Sequence, residues 1–125
     1  MATAPLRPPI GPVVIWHNPK CATSRKVLEM IRAAGVTPDV IDYVKTPPSA
    51  TAIKAALKAM GMKPRALLRR KGTPYEELGL GDAALTDAAL VAAMHEHPIL
   101  IERPVVHTPK GTRLCRPPEQ VKEIL

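Results

Sequence analysis

Phenylalanine is missing from this chain of 125 residues, and Trp16, Tyr43 and Tyr75 are its only aromatic side chains. A core must therefore be built from Leu, Ile, Val, Met and Ala. Three rings are also too few for a stacking platform of the kind that binds single-stranded nucleic acid. Cysteine is scarce: Cys21 and Cys115 do not make a disulfide framework. No apolar run approaches the length of a membrane span, and "MATAPLRPPIGP" lacks an apolar stretch of signal length. These absences lead us to expect a cytoplasmic protein with reduced thiols and no membrane partner. Acid is in short supply too, with 11 Asp and Glu against 18 Lys and Arg and a net charge of +7. Charge alone ranks solubility first, capture of a small oxyanion second and nucleic acid third, so no nucleic-acid partner is expected.

What is present is enough for one domain. The chain is 46% hydrophobic, and its 15 prolines cluster as punctuation near residues 5–12, 47–48 and 117–118. Residues 1–12 are expected to be a flexible Pro-rich tail, and residues 13–125 a single domain. "VVIW" (13–16) has the β-branched residues of a buried strand. "TSRKVLEMIRAAG" follows with Val27, Leu28, Ile31 and Ala34 at helical spacing, and Gly35 stops it. "DVIDYV" (39–44) is a second strand, which completes a βαβ unit with a right-handed crossover.

The middle of the chain, about residues 49–97, is expected to be a helical insertion. Ser49 caps a helix that places Ile53, Leu57 and Met60 on one face and ends at Gly61. "KPRALLRRKG" is a short helix with a basic end. Thr86 caps another, with Leu90, Val91 and Met94 inward. Strands at 105–107 and 113–115 around Lys110-Gly111 make a hairpin, and "PPEQVKEIL" begins a last helix. The order βαβ, helices, ββα is an α/β fold with a mixed sheet and a helical insertion.

"HNPKCATSR" puts Cys21 at the turn between strand and helix. A thiolate is the reactive form of cysteine, and a helix N-terminus with nearby cations stabilises it. Arg25 lies one helical turn on, and His17 sits just before the turn. The loop's N–H groups can also hold an oxyanion. An activated nucleophile beside an anion site competes with a small buried apolar cysteine, and position alone leaves the two even. "CATS" is Cys-x-x-Ser, so the partner thiol of a dithiol motif is missing and turnover needs a thiol from outside. A phosphatase-type loop would need arginine where Val27 stands. Arg69, Arg103 and Arg116 are far apart in the chain. Each taken alone is more simply a solvated side chain, although arginine suits tetrahedral oxyanions. His95, His97 and His107 form no convincing ligand cluster, so no metal is expected.

The segments "HNPKCATSR", "RALLR", "PYEELGL", "HPILIERPVV" and "GTRLCRPPE", in this order from about Val13 to Leu125, resemble the glutaredoxin-coupled arsenate reductases. The resemblance implies a thioredoxin-like fold with a helical insertion. It makes Cys21 the nucleophile and His17 its supporting histidine, and it assigns Ser24 and Arg25 to the anion-holding loop. Arg69, Arg103 and Arg116 become the oxyanion-binding arginines, expected to converge on Cys21, and the Arg103–Pro104 peptide is expected to be cis. Cys115 receives no catalytic role. The implied chemistry is attack of the Cys21 thiolate on arsenate, a covalent cysteine–arsenic adduct, reduction by glutathione as co-substrate and resolution by glutaredoxin, with no bound cofactor. Two other readings use the same fold. One is a glutathione-linked thiol oxidoreductase of this family acting on another substrate. The other is a transcription regulator binding RNA polymerase, whose usual Cys-x-x-Cys switch Ser24 would interrupt.

Overall fold

Short β-branched runs lay down the sheet. In the computed structural model, which describes residues 12–125, Val14–His17 forms strand β1 and Asp39–Asp42 forms β2. The tail expected over residues 1–12 lies, apart from Pro12, outside the described residues. The chain makes two compact units: residues up to Asp42 together with Arg103–Leu125, and Tyr43–Glu102.

In the first unit, helix α1 (Ala22–Ala33) links β1 to β2, which pair in parallel. β1 also pairs antiparallel with β3 (Val105–Thr108), and β3 with β4 (Gly111–Leu114), so the strand order is β2-β1-β3-β4. Val27 and Ile31 of α1 are one turn apart and fully buried against Ile15, Val106, Cys115, Val121 and Ile124. Each such aliphatic side chain stabilises the unit by about 1.5–3 kcal/mol through burial. Gly35, at φ +83°, supplies the left-handed residue that turns the chain after α1.

The last segment differs from expectation. Pro118–Glu123 is a 3-10 helix and not an α-helix. Residues three apart eclipse one another in that geometry. It therefore sends Val121 and Ile124 into the core together, and both are fully buried. The Thr108 hydroxyl holds the end of the segment by donating to the Ile124 carbonyl at 2.6 Å. The Arg103–Pro104 peptide is cis, as expected; Arg116–Pro117 is also cis, which was not.

The second unit contains α2 (Ala50–Met60), α3 (Pro64–Leu67) and α4 (Asp87–Glu96). Ser49 and Thr86 cap α2 and α4, accepting from Ala52 N at 3.0 Å and Ala89 N at 3.1 Å. Ile53, Leu57, Leu90, Val91 and Met94 are buried, whereas Met60 remains partly exposed. "KPRALLRRKG" is helical only to Leu67. Beyond it the backbone pairs with the segment around Ile101: Leu68 and Ile101 form an antiparallel bridge, and Arg69 N donates to Leu100 O at 2.7 Å. Those bonds replace the ones a longer helix would make. No helix among the described residues is long and apolar enough to cross a membrane.

Candidate active site

Asn18-Pro19 starts the turn that presents Cys21, and asparagine before proline is a turn-forming pair. The Asn18 side chain accepts from Lys20 N at 2.9 Å, and its carbonyl accepts from Cys21 N at 3.0 Å. Cys21 is the N-cap of α1; its carbonyl receives the first helical bond, from Arg25 N at 3.0 Å. The thiol is partly exposed. Burial alone would push it up, but the Ser24 backbone N–H, the Arg103 guanidinium and the Arg116 guanidinium all favour the anion, and the net direction is down.

Arg103 precedes β3 and is buried, with only 9% of its surface exposed. Its guanidinium is one of the groups that favour the Cys21 anion. Arg116 follows β4; its Nη1 lies 3.9 Å from Cys21 Sγ and donates to the Arg103 carbonyl at 3.0 Å. Two arginines thirteen residues apart thus meet at one sulfur. Arg69 belongs to the other compact unit, where its Nη1 bonds Glu102 Oε1 at 2.9 Å and its Nε donates to the Lys71 carbonyl at 3.1 Å.

The remaining loop residues serve the loop itself. Ser24 is fully buried, and its hydroxyl lies 2.6 Å from His17 Nδ1 and accepts from Asn18 N at 3.0 Å. Arg25 Nη1 donates to the Pro19 carbonyl at 2.8 Å. His17 is held below its ordinary value by burial and by Arg32 and Arg25, against the opposing pull of Asp42. That direction favours the neutral ring. Asn18 and Glu102 were not singled out from the sequence. The Asn-Pro pair was a readable signal for the first; nothing local marks the second.

Among the described residues, no group of three or more His, Cys, Asp or Glu side chains could hold a metal ion. The chemistry available is that of a stabilised thiolate with guanidinium donors beside it. That arrangement suits nucleophilic attack on an electrophile that carries negative charge.

Residues 16–124 match the ArsC family. The chain belongs to that family. It is 55% identical over 113 residues to an arsenate reductase of Rhizobium meliloti (strain 1021), a match that covers 90% of this chain and 81% of that protein. It is 53% identical over 113 residues to an arsenate reductase of Escherichia coli (strain K12), again over 90% of this chain and 80% of the relative. Among solved structures it is similar to an arsenate reductase from Vibrio cholerae, with a TM-score of 0.87, 50% identity and coverage of 90% of this chain and 97% of the other. The fold of this ArsC-family chain is the thioredoxin-like mixed α/β arrangement expected from its motifs.

Proposed function

We propose that this protein reduces arsenate to arsenite with glutathione and glutaredoxin, through a covalent adduct on Cys21. The observation that carries the reading is the Cys21 sulfur at the start of α1 with Arg103 and Arg116 against it. The arsenate reductases to which the chain is similar supply the substrate class.

In the proposed sequence the Cys21 thiolate forms a bond to pentavalent arsenic, and one arsenate oxygen leaves as water after protonation. Arg103 and Arg116 hold the remaining oxygens and offset the charge that develops on them. Arg69 is the third arm of this oxyanion site by the family resemblance. A glutathione thiolate then attacks the adduct. A sulfur–sulfur bond forms, the sulfur–arsenic bond breaks and its electron pair stays on arsenic, which becomes trivalent and leaves as arsenite. Glutaredoxin resolves the mixed disulfide left on Cys21. Glutathione is a co-substrate in this reading, no bound cofactor takes part, and the need for a thiol reductant assigns the protein to the cytoplasm. Ser24 and Arg25 shape the loop through His17 and Pro19.

The test is arsenite production by purified protein supplied with arsenate, glutathione and glutaredoxin. We expect turnover that needs all three and vanishes in Cys21→Ser. Turnover that persists in Cys21→Ser, or its absence from the wild type under these conditions, would sink the proposal.

A further inference from the structure

Arg69 is gripped along its whole length. Its backbone N–H donates to the Leu100 carbonyl at 2.7 Å, and its own carbonyl accepts from the Thr73 hydroxyl at 2.8 Å. Its Nε donates to the Lys71 carbonyl at 3.1 Å, and its Nη1 donates to Glu102 Oε1 at 2.9 Å. A guanidinium carries five N–H donors on three nitrogens. Two of those nitrogens are engaged, and Nη2 has no partner among the described residues. Only 20% of the Arg69 side chain and 20% of the Glu102 side chain are exposed, so Arg69 is not a freely solvated arginine.

The ion pair is not what joins the two segments. Leu68 and Ile101 form a bridge, and Glu102 N donates to Leu67 O at 2.8 Å beside the bond from Arg69 N to Leu100 O. Main-chain bonds therefore close the junction with or without the two side chains. The Glu102 carboxylate also carries a penalty, because it sets a negative charge beside a guanidinium that receives an anion in the reading above. A carboxylate in that place is explained if its work is geometric. A long flexible side chain loses rotamer freedom when it captures a ligand, and fixing it beforehand removes that loss from the binding step. We infer that Glu102 is a positioning residue of the oxyanion site: together with the Lys71 carbonyl it locks the Arg69 guanidinium, so that Nη2 is the donor offered to a tetrahedral oxyanion. This deepens the reading of Arg69 as an oxyanion arm and rests on it.

The test uses sulfate, a tetrahedral dianion that this chemistry does not reduce, so its outcome stands apart from that of the turnover assay. Calorimetry gives the sulfate Kd of wild type, Arg69→Ala, Glu102→Ala, Glu102→Gln and the double variant Arg69→Ala with Glu102→Ala. Glu102→Ala should weaken binding by about tenfold, the scale of one rotamer-rich side chain left loose. Glutamine keeps an oxygen acceptor and removes the opposing charge, so Glu102→Gln should recover most of that loss. In the Arg69→Ala background Glu102→Ala should cause no further loss, since it acts through Arg69. The groups that act on the Cys21 thiol are untouched, so the pH midpoint of its alkylation by iodoacetamide should stay in place in Glu102→Ala. Side-chain NMR of the unaltered protein should show the Arg69 Nε–H slow to exchange with water and its Nη2 signal shifted by sulfate. The inference is overturned if Glu102→Ala binds sulfate as wild type does, if Glu102→Gln is as weak as Glu102→Ala, or if the loss is as large without Arg69. It is equally overturned if the Cys21 midpoint moves or if sulfate leaves the Arg69 signals in place. The NMR measurement needs no variant, so it decides the matter even where one folds poorly. An arsenate assay that fails while these results hold would remove the substrate and leave the anion site standing.

Discussion

Cys115 stands one residue before Arg116, whereas Cys21 is 95 residues away from it, yet it is Cys21 whose sulfur lies 3.9 Å from the Arg116 guanidinium. Both cysteines belong to the same compact unit. Cys115 is fully buried among Val13, Ile15, Val106 and Ile124, and its sulfur has one weak bond, to the Arg113 carbonyl at 3.7 Å. Burial pushes its thiol up to about 12, with Arg113 opposing and Glu123 adding to the shift. Cys21 meets desolvation as well, but an N–H and two guanidiniums outweigh it. The difference teaches that thiol reactivity here is set by which donors the fold aims at the sulfur. Arg116 adjoins Cys115 in sequence, yet its guanidinium reaches the Cys21 sulfur, while Arg113 and Glu123 are the charges that act on Cys115.

The most severe way to break the comparison is to exchange sulfur for oxygen at each site. Cys21→Ser should lower arsenite production by more than about a thousandfold, since loss of a nucleophile removes the covalent route. Cys115→Ser should leave turnover near the wild-type level and instead lower stability by about 1–3 kcal/mol, because a hydroxyl enters an apolar site. Urea unfolding beside the turnover assay separates the two outcomes. Equal losses of turnover in both variants would erase the distinction.

Next in size are the donors. Arg103→Ala and Arg116→Ala should each reduce turnover by about a hundredfold, in line with removal of one transition-state donor. Each should also raise the alkylation midpoint of Cys21, since both guanidiniums favour its anion. Lysine at either place should recover only part, because it offers a point charge and no planar fork. Arg69→Ala sharpens the picture further. It should lower turnover as an oxyanion arm while leaving the Cys21 midpoint in place. A midpoint unmoved by Arg103→Ala and Arg116→Ala would mean that these arginines do not activate the thiol.

The parts of the fold that were legible in the sequence are those with a local cause. Ser49 and Thr86 cap helices because their hydroxyls meet N–H groups three residues on, and Gly61 ends α2 because it takes φ +66°. The turn that holds Cys21 was legible for the same reason, since a cysteine between a strand and a helix is a local pattern, but its role as nucleophile came with the family resemblance. Features set by distant partners were not. The helix after Lys63 stops at Leu67 because Ile101, far along the chain, takes its backbone. The final segment tightens to a 3-10 helix because Val121 and Ile124 must both reach the core. In the site, His17 is shifted by burial and by Asp42, Arg32 and Arg25, and a spacing argument places only Arg25 near it. Arg103 and Arg116 could be singled out as arginines suited to an oxyanion, but their convergence was favoured over a solvated role only through the family resemblance.

The mildest test compares the two thiols through alkaline stability. The Cys115 thiol is raised to about 12 in the folded protein from an ordinary 9.0. Between those values the unfolded chain has released this proton and the native chain has kept it. The native state then binds more protons, so stability falls as pH rises. The contribution is fully present below the unfolded value and is lost as pH climbs through the folded one, at up to about 1.4 kcal/mol per pH unit. Cys21 has the opposite sign: its folded value is depressed, so its contribution is present above the unfolded value and is lost as pH falls through the folded one. Across the alkaline window Cys21 therefore adds a constant and Cys115 adds a slope. Urea unfolding at several pH values from neutral to strongly alkaline, on wild type, Cys21→Ala and Cys115→Ala, reads both. The gap between wild type and Cys115→Ala should narrow as pH rises, while the gap to Cys21→Ala stays level. A Cys115→Ala gap that does not change with pH would mean that its thiol ionises as freely in the core as in the unfolded chain, and the contrast between the two cysteines would then rest on access alone.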